Sequence, residues 1–254
     1  MRRPALLLLM FFSWAVAVHA ANPAKPTLVI VHGAWGGAWQ FAKIAPLLEQ
    51  RGYAVHRVTL TGLGERSHLA HADIGLSTHI EDVVNVIRFE NLQEIILLGH
   101  SYGGMVITGV ADRLPERIAR LVYLDAMLPA NGESALDLMS ARGSALADRA
   151  EAGFIAPWWV RPDKPFPKDV PHPLKTLTEP LALTNPAAAK LPGLYILTVE
   201  PGQPPEADDF WTYAERARNR GWPVLQLTGD HNPQWRQPEA TAAFLHDALQ
   251  KATE

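Results

Sequence analysis

Cysteine is absent from all 254 residues. That absence excludes a thiol nucleophile, a cysteine-ligated metal and a lipid anchor on cysteine, and it leaves stability to an apolar core rather than to disulfides. Charge is also scarce, with Asp, Glu, Lys and Arg making up 19% of the chain and the formal net charge only -3. Lacking a basic surplus or a run of Lys and Arg, the chain has no electrostatic footprint for nucleic acid. Long apolar runs are missing too, except at the N-terminus. There Arg2 and Arg3 precede an almost wholly apolar stretch over residues 5–18, followed by Val18-His19-Ala20, with small residues at both cleavage positions, and then Asn22-Pro23. This order predicts a signal peptide over residues 1–20, a mature chain from Ala21, and export to the periplasm or medium without a stable membrane anchor. An uncleaved N-terminal anchor is the alternative.

What remains is 48% hydrophobic, enough for one sizeable core and a single domain over residues 21–254. Short apolar runs alternate with amphipathic stretches. Strands are predicted at 27–31, 54–60, 95–98, 121–124, 194–199 and 224–227. Helices are predicted at 40–51, from Thr78 (a capping-box pattern with Glu81), and at 102–113, 206–220 and 238–250. Strands linked by helical crossovers imply an α/β fold, a mostly parallel sheet of about six strands covered by helices on both faces. The rhythm fails over about 129–192, a segment rich in Ala and Pro that contains Trp158-Trp159. An irregular insertion of that length within a regular fold is expected to be a lid.

Gly99-His-Ser-Tyr-Gly103 matches G-x-S-x-G between an apolar strand and a helix. A sharp turn there would lift the Ser101 hydroxyl above the sheet. A serine needs a base, and His231 follows the last strand in a turn formed with Gly229, Asn232 and Pro233. The oxyanion of such a site needs two backbone N–H groups, expected from Tyr102 and from Ala34 in the loop after the first strand, where Gly33 lets the backbone approach. Trp35, Trp158 and Trp159, with Trp39 and Trp235, are candidates to line an apolar or aromatic substrate pocket; each has ordinary packing as the alternative, and for Trp39 packing is preferred. His68, His71 and Asp73 lack a fourth ligand, so no metal is expected. No cofactor is implied, and the expected partner is a small-molecule ester.

Val31-His-Gly-Ala-Trp-Gly-Gly-Ala-Trp39, Leu60-Thr-Gly-Leu-Gly-Glu-Arg66, Gly99-His-Ser-Tyr-Gly-Gly104 and Gly229-Asp-His231, taken together and in order, resemble the α/β-hydrolase superfamily. The likeness is greatest to the branch of plant methyl esterases, hydroxynitrile lyases and bacterial esterases. The resemblance implies a third group that orients His231. In plant members of the branch this is an aspartate after the strand matching 194–199, where this chain instead has Glu200. Elsewhere in the superfamily it follows the strand after the nucleophile helix, where this chain has Asp125. Asp125 is preferred and Glu200 is the alternative. The lyases of the branch carry a threonine and a lysine at the positions of Gly33 and Asn232, and neither is present. The expected activity is therefore hydrolysis of carboxylic esters, or amides, through an acyl-serine. The alternatives are a carbon–carbon lyase and a ligand-binding protein on the same fold.

Overall fold

A computed structural model describes residues 25–251. The expected signal peptide lies outside the described residues. Strand β1 (Thr27–Val31) is followed by a 3-10 turn, Ala38–Phe41, and by helix α1 (Ala45–Gln50). The single helix expected over 40–51 is thus two pieces. Pro46 has no backbone N–H to donate and stands in the first turn of α1, so the longer helix starts afresh there. Strand β2 (Ala54–Val58) leads through a 3-10 turn to α2 (Leu76–Phe89). This helix begins two residues before Thr78 and is capped by the backbone of Gly75, without a side-chain capping bond. Burial of Leu76 draws the extra residues into the first turn, and Glu81 pairs with Arg113 instead of closing a capping box.

Strand β3 (Ile95–Ser101) runs three residues beyond the apolar stretch, because Gly99, His100 and Ser101 go on pairing with the next strand, β4 (Ile118–Ala126), across the intervening α3 (Gly103–Arg113). The insertion then supplies only short elements: α4 (Ala135–Leu138), α5 (Ala141–Ala147), a small antiparallel pair β5 (Phe154–Ile155) and β6 (His172–Pro173), and α6 (Lys175–Thr178). Strand β7 (Gly193–Val199), α7 (Trp211–Asn219), β8 (Val224–Thr228), α8 (Pro233–Arg236) and α9 (Pro238–Lys251) complete the chain.

The six long strands form one sheet in the order β2-β1-β3-β4-β7-β8, with every pair parallel. Its two faces are both buried, and alternation along a strand assigns side chains to them. Val29 and Val31 enter the core beneath α2, α3 and α7, while Leu28 and Ile30 enter the one beneath α1 and α9. From β1 the chain first winds outward to β2 and then returns to the other side of β1 as β3. That reversal opens a crevice at the carboxyl ends of β1 and β3, where open α/β sheets place their ligands. No helix among the described residues is long and apolar enough to cross a membrane.

Candidate active site

Ser101 closes β3 at this crevice. Its φ is +55°, in the left-handed region, and its carbonyl accepts the Met127 N–H at 3.0 Å. The register against β4 shifts between His100 and Ser101, so the strand kinks there and turns directly into α3. A bulkier residue could not stand at position 103, since a Cβ there would lie 2.6 Å from the Val31 carbonyl oxygen. The start of α3 is thereby pressed against the end of β1.

His231 follows β8 and meets a carboxylate from a different strand. Its Nδ1 lies 2.6 Å from Oδ2 of Asp125, which is fully buried at the end of β4 with φ +44°. The second oxygen, Oδ1, accepts the Thr198 N–H at 2.9 Å. With Nδ1–H committed to the carboxylate, the imidazole has the tautomer whose Nε2 carries the lone pair. Two further rings hold it. Phe210 stacks nearly parallel to it, with centroids 4.8 Å apart, and the His100 Nε2–H donates to the His231 carbonyl at 2.7 Å. Of the two carboxylates left open by the sequence, Asp125 reaches His231, whereas Glu200 is exposed in the loop after β7 and makes no hydrogen bond to the imidazole.

Ser101 and His231 border one cavity of about 220 Å³ together with Gly33, Ala34, Trp35 and Trp159. No hydrogen bond joins Ser101 Oγ to His231 Nε2 among the described residues, and such contacts tighten when substrate binds. Gly33 is held to a bare backbone, because a Cβ there would stand 2.9 Å from the Ser101 Cβ and 3.2 Å from His100 Nδ1. The N–H groups of Ala34 and Tyr102 have no acceptor among the described residues. Unpaired backbone donors are uncommon in a folded chain, and these two are the ones expected from the sequence to face an oxyanion.

The floor beneath these loops is built from histidines held neutral. His32 donates from Nδ1 to the Gly33 carbonyl at 2.7 Å and accepts the Leu60 N–H at Nε2, and burial lowers its pKa to about 4. His79 accepts the Tyr102 hydroxyl at 3.0 Å and donates to the Thr61 carbonyl, and burial lowers its pKa likewise to about 4. His172, from β6, is also fully buried, with its pKa well below the ordinary value for the same reason. His79 and His172 carry no distinguishing pattern in the sequence, and His32, although it lies in the Val31–Trp39 stretch, had no role assigned to its side chain there.

The tryptophans divide. Trp35 and Trp159 line the cavity, with ring centroids 5.0 Å apart, and Trp159 donates to Asp169 at 2.8 Å. Trp158, expected to line the pocket, is not among the residues bordering this cavity; it is 56% exposed, edge-on to both rings and under the Arg149 guanidinium. Trp39 and Trp235 pack edge to face on one another.

The alpha/beta hydrolase family matches residues 28–244. A carbendazim hydrolyzing esterase from Nocardioides sp. (strain SG-4G) is 36% identical over 240 residues, which cover 85% of this chain and 97% of that one. An alpha-hydroxynitrile lyase from Arabidopsis thaliana is 36% identical over 107 residues, covering 41% of each chain. Among solved structures, an extracellular alpha/beta-hydrolase from a Paenibacillus species superposes with a TM-score of 0.73 at 24% identity, covering 88% of this chain and 98% of that one.

Proposed function

The chain belongs to the alpha/beta hydrolase family, and on that premise we propose that it is an exported serine hydrolase that cleaves carboxylic esters, or amides, of small apolar or aromatic compounds. The observation that carries this reading is the buried Asp125–His231 pair opening onto the same cavity as Ser101. An esterase that matches over nearly its whole length supports ester hydrolysis in particular.

In this mechanism His231 Nε2 takes the proton from Ser101 Oγ as the oxygen adds to the ester carbonyl. The carbonyl π electrons move onto its oxygen, and the Ala34 and Tyr102 N–H groups stabilise the charge. The C–O bond then breaks, the alcohol leaves with the proton held on His231, and the acyl-serine remains. Water, deprotonated by the same nitrogen, adds to the acyl carbon and releases the acid and Ser101. Asp125 stays ionised throughout and holds the imidazolium. Trp35 and Trp159 give the cavity flat apolar walls, which suit an aromatic or compact aliphatic group.

A lyase of the hydroxynitrile type is disfavoured at Gly33. The threonine that the resemblance assigns to that position would place its Cβ 2.9 Å from that of Ser101. A panel of aryl and alkyl esters and amides, assayed with Ser101→Ala as control, tests the reading. A fluorophosphonate should label Ser101 in the wild type and fail to label His231→Ala; labelling that ignores His231 refutes the mechanism. For export, the mature protein recovered outside the cytoplasm should begin at Ala21, and an intact N-terminus on a cytoplasmic product would refute it.

A further inference from the structure

We propose that His172, in the insertion, is a positioning residue for the oxyanion loop, so that the insertion is a working part of the catalytic device and not a detachable cover. The inference rests on the serine hydrolase reading above. It starts from Trp35, the residue directly after the expected oxyanion donor Ala34. Trp35 has φ +61°, a conformation that costs a bulky L-residue on the order of 1–2 kcal/mol and persists only where the surroundings enforce it.

One bond across this turn is local, from the Gly36 N–H to the Ala34 carbonyl at 2.8 Å, and the groups that hold Trp35 itself come from the insertion. The Trp35 backbone N–H donates to His172 Nδ1 at 3.1 Å, its carbonyl accepts the Val170 N–H at 2.9 Å, and its indole N–H donates to the Ile155 carbonyl at 2.9 Å. Every polar group of Trp35 is thus bound by residues more than a hundred positions away in sequence.

Only one of these three partners is a side chain, and its protonation is dictated by its neighbours. A backbone N–H can only donate, so His172 Nδ1 must be the bare acceptor and the proton must sit on Nε2. Nε2–H then donates to Thr176 Oγ1 at 2.7 Å, and Thr176 passes its own hydrogen to the Pro173 carbonyl at 2.8 Å. The relay leaves no alternative tautomer. Both His172 and Thr176 are fully buried, so water cannot replace either bond without opening the insertion. From the other side, His32 holds the Gly33 carbonyl. The Gly33-Ala34-Trp35 backbone is therefore clamped at both ends with the Ala34 N–H between the clamps.

Loss of the His172 bond leaves the Ala34–Trp35 peptide held only by the local Gly36 bond on its carbonyl, so Trp35 can relax toward negative φ, turn that peptide and misaim the neighbouring donor. Removing an oxyanion donor outright costs about 10²–10³ in kcat, and misaiming one should cost less. The test compares His172→Leu, which fills the space without an acceptor, with His172→Asn, whose Oδ1 occupies the place of Nδ1, using an aryl ester substrate. His172→Leu should lower kcat roughly 10- to 100-fold with little change in KM. It should weaken an arylboronic acid, which mimics the tetrahedral oxyanion, by the same factor while leaving the affinity for the product carboxylate unchanged. His172→Asn should restore most of both losses.

A merely structural role would lower the folded fraction or move KM and product affinity together, and would not distinguish the two variants in this way. Unchanged kcat in a folded His172→Leu, or equal impairment of the two variants, overturns the proposal. If His172→Leu does not fold, Thr176→Val decides, since losing the acceptor that holds the His172 ring by its Nε2–H should lower kcat without raising KM; unchanged kcat overturns the proposal there too. A wild-type protein that hydrolyses no ester and takes no fluorophosphonate at Ser101 defeats the hydrolase reading and this inference together. An active wild type with indifferent His172 variants defeats this inference alone.

Discussion

At the scale of single residues, the site is defined by what each polar atom is already committed to. Asp125 spends one oxygen on the Thr198 N–H and the other on His231, and it is fully buried. Such a carboxylate can change neither partner nor orientation, which suits a group that must hold an imidazole in one tautomer. Asp125→Asn presents an N–H or a neutral oxygen to Nδ1 and so favours the wrong tautomer. A fall in kcat on the order of 10⁴ is expected, with the fold retained. Glu200→Gln, an exposed change, should leave kcat within about twofold, because an isolated surface substitution rarely perturbs a site it does not touch. Steady-state kinetics on the two variants with one aryl ester checks both. The reverse pattern would mean that the loop after β7 rearranges to bring Glu200 to His231.

At the scale of elements, β1, β3 and α3 act as one piece because their backbones touch. Gly103 lets the N-terminus of α3 rest on the last carbonyls of β1, the Val31 oxygen 2.6 Å and the His32 oxygen 2.8 Å from where a Cβ would be. Those neighbours are main chain and cannot swing aside as a side chain could. Gly103→Ala should therefore destabilise the fold by about 2–3 kcal/mol, the upper part of the range for overpacking. Activity should fall further than the lost folded fraction explains, because both expected oxyanion donors sit at this junction. Urea unfolding monitored alongside kcat separates the two effects. An alanine variant of wild-type stability would show that the junction has slack the geometry does not reveal.

For the whole molecule, the distinguishing store of free energy is a set of buried neutral histidines. His32 and His79 are shifted down to about 4, and His100 and His172 lie well below their ordinary value, all chiefly through burial. A depressed histidine pKa means that the unfolded chain binds more protons than the folded one, so stability rises with pH. The contribution of each group is fully present above its unfolded value of about 6.5 and is lost progressively as the pH falls through 6.5 toward the folded value. Between pH 6.5 and 5, where most carboxylates remain ionised, the unfolding free energy should decline with a slope approaching four protons. His79→Gln should reduce that slope by about one. Chemical denaturation across this window measures it; a flat profile would show that these rings gain water or partners on protonation.

How much of this the sequence itself determined follows from where the physics is local. The alternation of buried strands and amphipathic helices, the strand–turn–helix around Ser101, the late turn holding His231 and the lack of thiol chemistry depend on neighbouring residues and can be read along the chain. Helix ends were less legible: Thr78 with Glu81 has the capping pattern, but burial of Leu76 moved the start of α2. The sequence preferred Asp125 to Glu200 but could not exclude the latter, because both stand at the end of a strand of the same sheet, and the packing of β4 between β3 and β7 aims Asp125 at His231. The role of the insertion was less visible still. His172 and Trp35 lie 137 positions apart, and no periodicity relates them. A hydrogen bond across that separation exists only once the hairpin of β5 and β6 has been laid over the end of β1, so it is the tertiary structure that decided it.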